Sequence, residues 1–144
     1  MKLDNYIYPV SKGVTCCLEE NDCVIRAVCN IGLADYETAH EVSSKNGRTI
    51  RKCCTFKTAD STYKHFGLKI KSVHKGTKMA KYVSFVKKAD LEKHTTVSQF
   101  INENPSGKFI CITKTHAFAV VDSCLVDKTA ISKQTKIVCV YEVI

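Results

Sequence analysis

The sequence predicts an α+β domain in which N-terminal helices pack on a C-terminal antiparallel β-sheet. Three observations carry that expectation. Capped, helix-periodic segments dominate the first half of the chain, whereas everything after Gly107 reads as short strands. The strand candidates "KFICIT", "HAFAVVD", "CLVDK" and "KIVCVYEVI" are β-branched, aromatic and cysteine-rich, with brief polar breaks between them. A length of 144 residues with 44% hydrophobic content suits one domain with one core, so residues 1–144 are read as a single domain.

Residues 1–20 read as an irregular lead-in. Asn21 or Asp22 then caps a helix running to about Ile31 and closed by Gly32, which puts Cys23 in the first turn. In "DYETAHEVSSKNG", Asp35 is a good N-cap, Tyr36, Ala39 and Val42 form an apolar stripe, and Gly47 marks the stop. A shorter helix is expected over "TADSTYKHFG", ending at Gly67, followed by "LKIKSV" as a half-exposed strand. In "TTVSQFINENPSG", Thr96 with Gln99 three residues on makes a capping box, and Pro105-Ser106-Gly107 ends the helix. A meander of strands follows. No repeat, low-complexity tract or linker interrupts the chain.

Composition narrows the function classes. No apolar run is long enough to span a bilayer, and "MKLDNYIYPV" lacks the pattern of a signal peptide, so a cytoplasmic protein without a membrane partner is expected. Nine cysteines, an odd number that includes the adjacent pairs Cys16-Cys17 and Cys53-Cys54, argue for reduced thiols over a disulfide framework. Adjacent pairs also lack the spacing that wraps zinc, so neither a metal nor another cofactor is expected. The formal net charge is +8, and residues 64–93 hold nine Lys against Asp90 and Glu92. This belt, with Lys75, Lys78, Lys81, Lys87 and Lys88 at its centre, is either a solvated face or a surface that attracts acidic proteins or phosphates. Lysine in place of arginine, with Tyr82 and Phe85 the only aromatics in the second half of the belt, is a poor match to groove reading or base stacking, which makes nucleic acid the weaker partner.

The chemistry centres on Cys23. A helix N-terminus and a nearby imidazole both stabilise thiolate, and Cys23 has the first by position. The alternative is one more buried thiol, the reading kept for Cys16, Cys17, Cys29, Cys53, Cys54, Cys111, Cys124 and Cys139. Of five histidines, His40 lies in a helix, His65 near a helix end, and His74 and His94 among lysines. His116 opens a well-marked strand, where it is either a satisfied sheet histidine or a base. If Asp122-Ser123 forms a two-residue hairpin turn, Val121 faces Cys124, Phe118 faces Asp127, and Asp127 shares the face of His116 as a diagonal neighbour. A three-residue loop would turn Asp127 away and leave Asp122 as the reserve orienter. Arg26, one turn beyond Cys23, is read as an ion-pair partner of Asp22 or of an acid on the next helix, with a substrate carboxylate as the other option.

The stretches "NDCVIRA", "YETAHEVSSKNGR" and "GKFICITKTHAFAVVDSCLVD" resemble small papain-like proteins of tailed bacteriophages, distantly related to bacteriocin-leader peptidases. The resemblance covers residues 20–48 and 107–127. It implies a papain-like cysteine-peptidase fold with Cys23 as nucleophile, His116 as general base and then acid, and Asp127 as orienter. The family usually carries an oxyanion-hole glutamine a little upstream of the nucleophile. That position here is Cys17, so Asn21, or the Cys23 backbone N–H with a loop amide, would have to take its place. Two functions follow as expectations. One is a thiol hydrolase acting on a peptide, isopeptide or side-chain amide in a protein or peptide substrate, in the host cell cytoplasm if the protein is phage-encoded. The other is a catalytically idle papain-fold binding protein that engages an acidic host protein or nucleic acid through the lysine belt.

Overall fold

Local capping chemistry places three of the four helices among the described residues. The computed structural model describes residues 22–48, 55–74, 91–92, 95–127 and 131–143. Helix α1 spans Cys23–Asn30, α2 Tyr36–Lys45, α3 Phe56–His65 and α4 Val97–Glu103. Asp35 accepts the Thr38 N–H at 2.8 Å at the start of α2, and Thr55 accepts the Thr58 N–H at 3.1 Å at the start of α3. Helix α3 thus begins before the expected "TADST", because Thr55 supplies the cap and brings Phe56 into the first turn. The Thr96/Gln99 capping box of α4 is present in both directions, at 3.2 and 3.0 Å. Helix α1 differs: Asp22 occupies its N-cap position but makes no side-chain capping bond.

The strands are β1 Lys69–His74, β2 Leu91–Glu92, β3 Thr95–Thr96, β4 Lys108–Thr113, β5 Ala117–Val121, β6 Cys124–Val126 and β7 Lys136–Glu142. They form one sheet in the order β2-β1-β7-β4-β5-β6, with β3 pairing beside β7; among the described residues every pair is antiparallel except β1 with β2. The protein is therefore α+β, with a sheet more complex than the expected C-terminal meander. Strands β4, β5 and β6 do form a meander. Strand β7 returns to the far side of β4, where it also pairs with β1, so chain that precedes Gly107 extends the sheet. The register of β1 shifts between Ile70 and Ser72, which explains why the simple alternation of "LKIKSV" fails and Val73 is buried while Ile70 is only partly so.

Both faces of the sheet are covered. On one, Val24, Ile25 and Val28 of α1, Ala39 of α2 and Tyr63 of α3 pack with Ile110, Ile112, Ala117, Ala119 and Tyr141. On the other, Val97, Phe100 and Ile101 of α4 pack with Phe109, Cys111, Phe118, Val120 and Leu125. This is why the central strands are apolar nearly throughout instead of alternating with polar residues. Ile25 and Val28 are fully buried, each contributing about 1.5–3 kcal/mol through burial. Alanines at 117 and 119 present little bulk beneath α1, and that contact fixes the helix over β5.

The hairpin expectation holds in register. Asp122 and Ser123 form a two-residue turn with φ of 46° and 68°, both in the left-handed region of a type I′ turn, and Val121 pairs with Cys124. The turn is tied down at Gly107, whose N–H donates to Asp122 Oδ1 at 2.9 Å and whose carbonyl accepts from the Asp122 N–H at 2.9 Å. Gly107 has φ +108°, and a Cβ there would lie 3.0 Å from the Phe109 ring, so glycine is required on both counts. No helix among the described residues is long and apolar enough to cross a membrane.

Candidate active site

Three segments distant in sequence converge at one end of the sheet: the N-terminus of α1, the residue before β5, and the residue after β6. They carry Cys23, His116 and Asp127 respectively. His116 Nε2 donates to Asp127 Oδ2 at 2.6 Å, with the carboxylate side chain almost wholly buried and the imidazole about a quarter exposed. The Cys23 thiol lies close enough to the His116 side chain and to the Ala117 N–H for both to favour its thiolate. Since Nε2 is engaged by Asp127, Nδ1 is the ring nitrogen left to face the sulfur.

The backbone around His116 is tightly held. Its carbonyl accepts from the Thr113 N–H at 2.7 Å and from Thr113 Oγ1 at 3.1 Å, and its own N–H donates to Thr113 Oγ1 at 3.1 Å. The ring lies nearly parallel to Phe118, with centroids 6.2 Å apart. On the carboxylate side, Asn30 Nδ2 donates to the Val126 carbonyl at 3.2 Å and ties the end of α1 to the residue before Asp127. Thr113 and Asn30 escape a reading of the sequence, because an isolated polar residue at a strand or helix end gives no periodic signal.

Electrostatics set Cys23 apart from the buried thiols. Burial alone would push its pKa up, but the hydrogen bond and charge of His116, the Ala117 N–H and the charge of Arg26 together bring it below the ordinary thiol value. Burial works against the His116 proton too, yet the bonds to Asp127 and Cys23 raise the ring from 6.5 to about 9. Cys111 and Cys139, buried in the core, are pushed up, chiefly by desolvation. The two shifts act in the same sense, favouring thiolate at Cys23 and imidazolium at His116.

Asp22 and Arg26 form the expected ion pair, Nε to Oδ1 at 3.0 Å, with both side chains buried. The sequence does not announce the third member: the Tyr36 hydroxyl donates to Asp22 Oδ2 at 2.8 Å. Asp122, the reserve orienter, is exposed in the turn and bonded to Gly107, so it is not a partner of His116. Asn21 and Cys17 lie outside the described residues, as do Lys75, Lys78, Lys81, Lys87 and Lys88 of the belt. Cys23, Cys111, Cys124 and Cys139 are free thiols. Among the described residues no three His, Cys, Asp or Glu side chains are grouped to hold a metal.

Comparison of this chain with protein-family models, with curated proteins and with solved structures finds no match.

Proposed function

We propose that the protein is a papain-like thiol hydrolase using Cys23, His116 and Asp127, and that it acts on a peptide, isopeptide or side-chain amide. The observation that carries this reading is the convergence of the Cys23 thiol on a His116 ring that is itself held by the buried Asp127 carboxylate, 2.6 Å from Nε2. A satisfied sheet histidine needs no thiol at its second nitrogen, and a structural cysteine has no reason to be held below its ordinary pKa. The likeness of "NDCVIRA" and "THAFAVVD" to phage papain-like proteins and bacteriocin-leader peptidases points to the same chemistry.

The steps follow from the groups in place. The Cys23 thiolate adds to the acyl carbon, and the carbonyl oxygen takes up the charge. The Cys23 N–H is a donor for that oxyanion, since first-turn N–H groups of a helix lack intrahelical acceptors and Asp22 does not cap α1. His116 gives its Nδ1 proton to the departing amine, leaving a thioester on Cys23. Neutral His116 then removes a proton from water as the water attacks the thioester, and collapse releases the acid and returns the proton to the pair. Asp127 holds the ring orientation and stabilises the imidazolium throughout.

Limiting iodoacetamide near neutral pH, followed by site mapping, tests the nucleophile. Cys23 should be labelled ahead of Cys29 and Cys124, which are likewise partly exposed but are not among the groups that act on His116. Incubation with acyl-electrophile peptide probes should then give a covalent adduct that Cys23→Ala abolishes. Preferential labelling of Cys29 or Cys124, with Cys23 unreactive, overturns the reading.

A further inference from the structure

Aspartate is a strong helix N-cap, normally accepting an N–H from the first turn and placing its negative charge at the helix end. Asp35 does this for α2. Asp22 does not do it for α1, although it occupies the N-cap position and is only 1% exposed. Its carboxylate is directed elsewhere, with Oδ1 in an ion pair with Arg26 Nε at 3.0 Å that is not aligned as a hydrogen bond, and Oδ2 accepting from the Tyr36 hydroxyl at 2.8 Å. Tyr36 is itself buried in the core between α1 and α2.

The diversion matters because the next residue is Cys23. An aspartate capping α1 would compete with the substrate oxyanion for first-turn N–H groups. It would also bring a second negative charge beside the thiolate and disfavour it. We propose that Tyr36 is a positioning residue for Cys23: its hydroxyl keeps the Asp22 carboxylate folded back on Arg26 and off the N-terminus of α1. This rests on the reading of Cys23 as nucleophile. The two acceptor oxygens of Asp22 are divided so that one neutralises a buried guanidinium and the other anchors to α2, and α2 thereby helps set the charge at the thiol. Among the described residues the ionisable groups around this point are His116 and Asp127 from the sheet, Asp22 and Arg26 from α1, Tyr36 and His40 from α2, whose rings are 6.0 Å apart, and Tyr63 from α3, whose hydroxyl donates to the Val24 carbonyl at 3.4 Å.

Tyr36→Phe keeps the ring and removes only the hydroxyl. The test is the pH profile of iodoacetamide alkylation at Cys23 in four proteins: wild type, Tyr36→Phe, Asp22→Asn and the double variant. Tyr36→Phe should raise the lower midpoint by about half to one pH unit, slowing alkylation about three- to tenfold at a pH below both midpoints. In the Asp22→Asn background no carboxylate remains to swing over, so adding Tyr36→Phe should leave the midpoint where it was. A merely structural tyrosine would lower the melting temperature in both backgrounds without moving either midpoint, and that result overturns the proposal. Equal midpoint shifts in both backgrounds overturn it as well, since the effect would then not run through Asp22. If wild-type Cys23 titrates as an ordinary thiol, the nucleophile reading fails first and this inference falls with it, a result distinguishable from a low wild-type midpoint that Tyr36→Phe leaves unchanged.

Discussion

Asp127→Asn isolates the electrostatic part of the site while keeping its shape. In the folded protein His116 is raised from 6.5 to about 9 even though burial pulls the other way. That displacement of about 2.5 pH units corresponds to about 3 kcal/mol favouring the protonated ring. Asp127 and Cys23 share the upward pull, each by a hydrogen bond and by charge. Replacing the carboxylate by an amide removes the Asp127 charge and weakens its 2.6 Å bond, so about one pH unit of the displacement should disappear. The imidazolium, nine-tenths populated at about pH 8 when the ring pKa is about 9, would then be about half populated. Ring-proton chemical shifts of His116 followed against pH measure this directly, and the upper step in the Cys23 alkylation profile should move down with them. If His116 titrates at the same pH in wild type and variant, Asp127 does not stabilise the imidazolium and the proposed division of roles is wrong.

Two further outcomes follow from the same geometry. His116, raised on folding, supplies stability that is complete below pH 6.5 and lost as the pH rises through about 9, while Cys23, lowered on folding, supplies stability complete above 9.0 and lost as the pH falls through its folded value. Where the two windows overlap below pH 9 these slopes oppose each other, because the folded chain gives up the Cys23 proton at lower pH than the unfolded chain and holds the His116 proton to higher pH. Cys23→Ala removes one slope, so its thermal stability relative to wild type should decline as the pH rises towards 9.0, and parallel melting curves would count against the ion pair. Asp122→Ala should lose the Gly107 N–H bond and place alanine at φ 46°, lowering stability by about 1–2 kcal/mol in thermal melts. Its Cys23 alkylation should match wild type, whereas slowing as deep as that of Asp127→Asn would make Asp122 the orienter after all.

Much of this fold is written in short-range chemistry. Asp35, Thr96 with Gln99, and the glycines at 32, 47 and 67 mark helix ends through bonds and dihedral angles that involve only a few neighbouring residues. The Asp122-Ser123 turn fixes the register of β5 on β6 by counting alone, and with it the side of the sheet on which Asp127 meets His116. The site was legible to the same extent. A thiol at a helix start, a histidine at a strand start and a carboxylate at a fixed offset across a hairpin could each be named from the chain.

Long-range pairing decided the rest. That β7 lies on the far side of β4 and also pairs with β1 is a long-range pairing, and no local pattern in "KIVCVYEVI" specifies it. Alternation from Phe118 assigns His116 to the face covered by α4, yet Cys23 belongs to α1 on the opposite face. The two meet because His116 precedes β5, where Thr113 pins its backbone outside the β5 ladder, and because Ala117 and Ala119 present so little bulk beneath α1. The sequence by itself determined the thiol, the imidazole, the carboxylate and the turn that aligns the last two. Only the tertiary structure decided that the α1 terminus lands beside His116 with its N-cap aspartate drawn aside by Tyr36. That outcome depends on packing between α1, α2 and the sheet, and packing across such separations leaves no periodic mark along the chain.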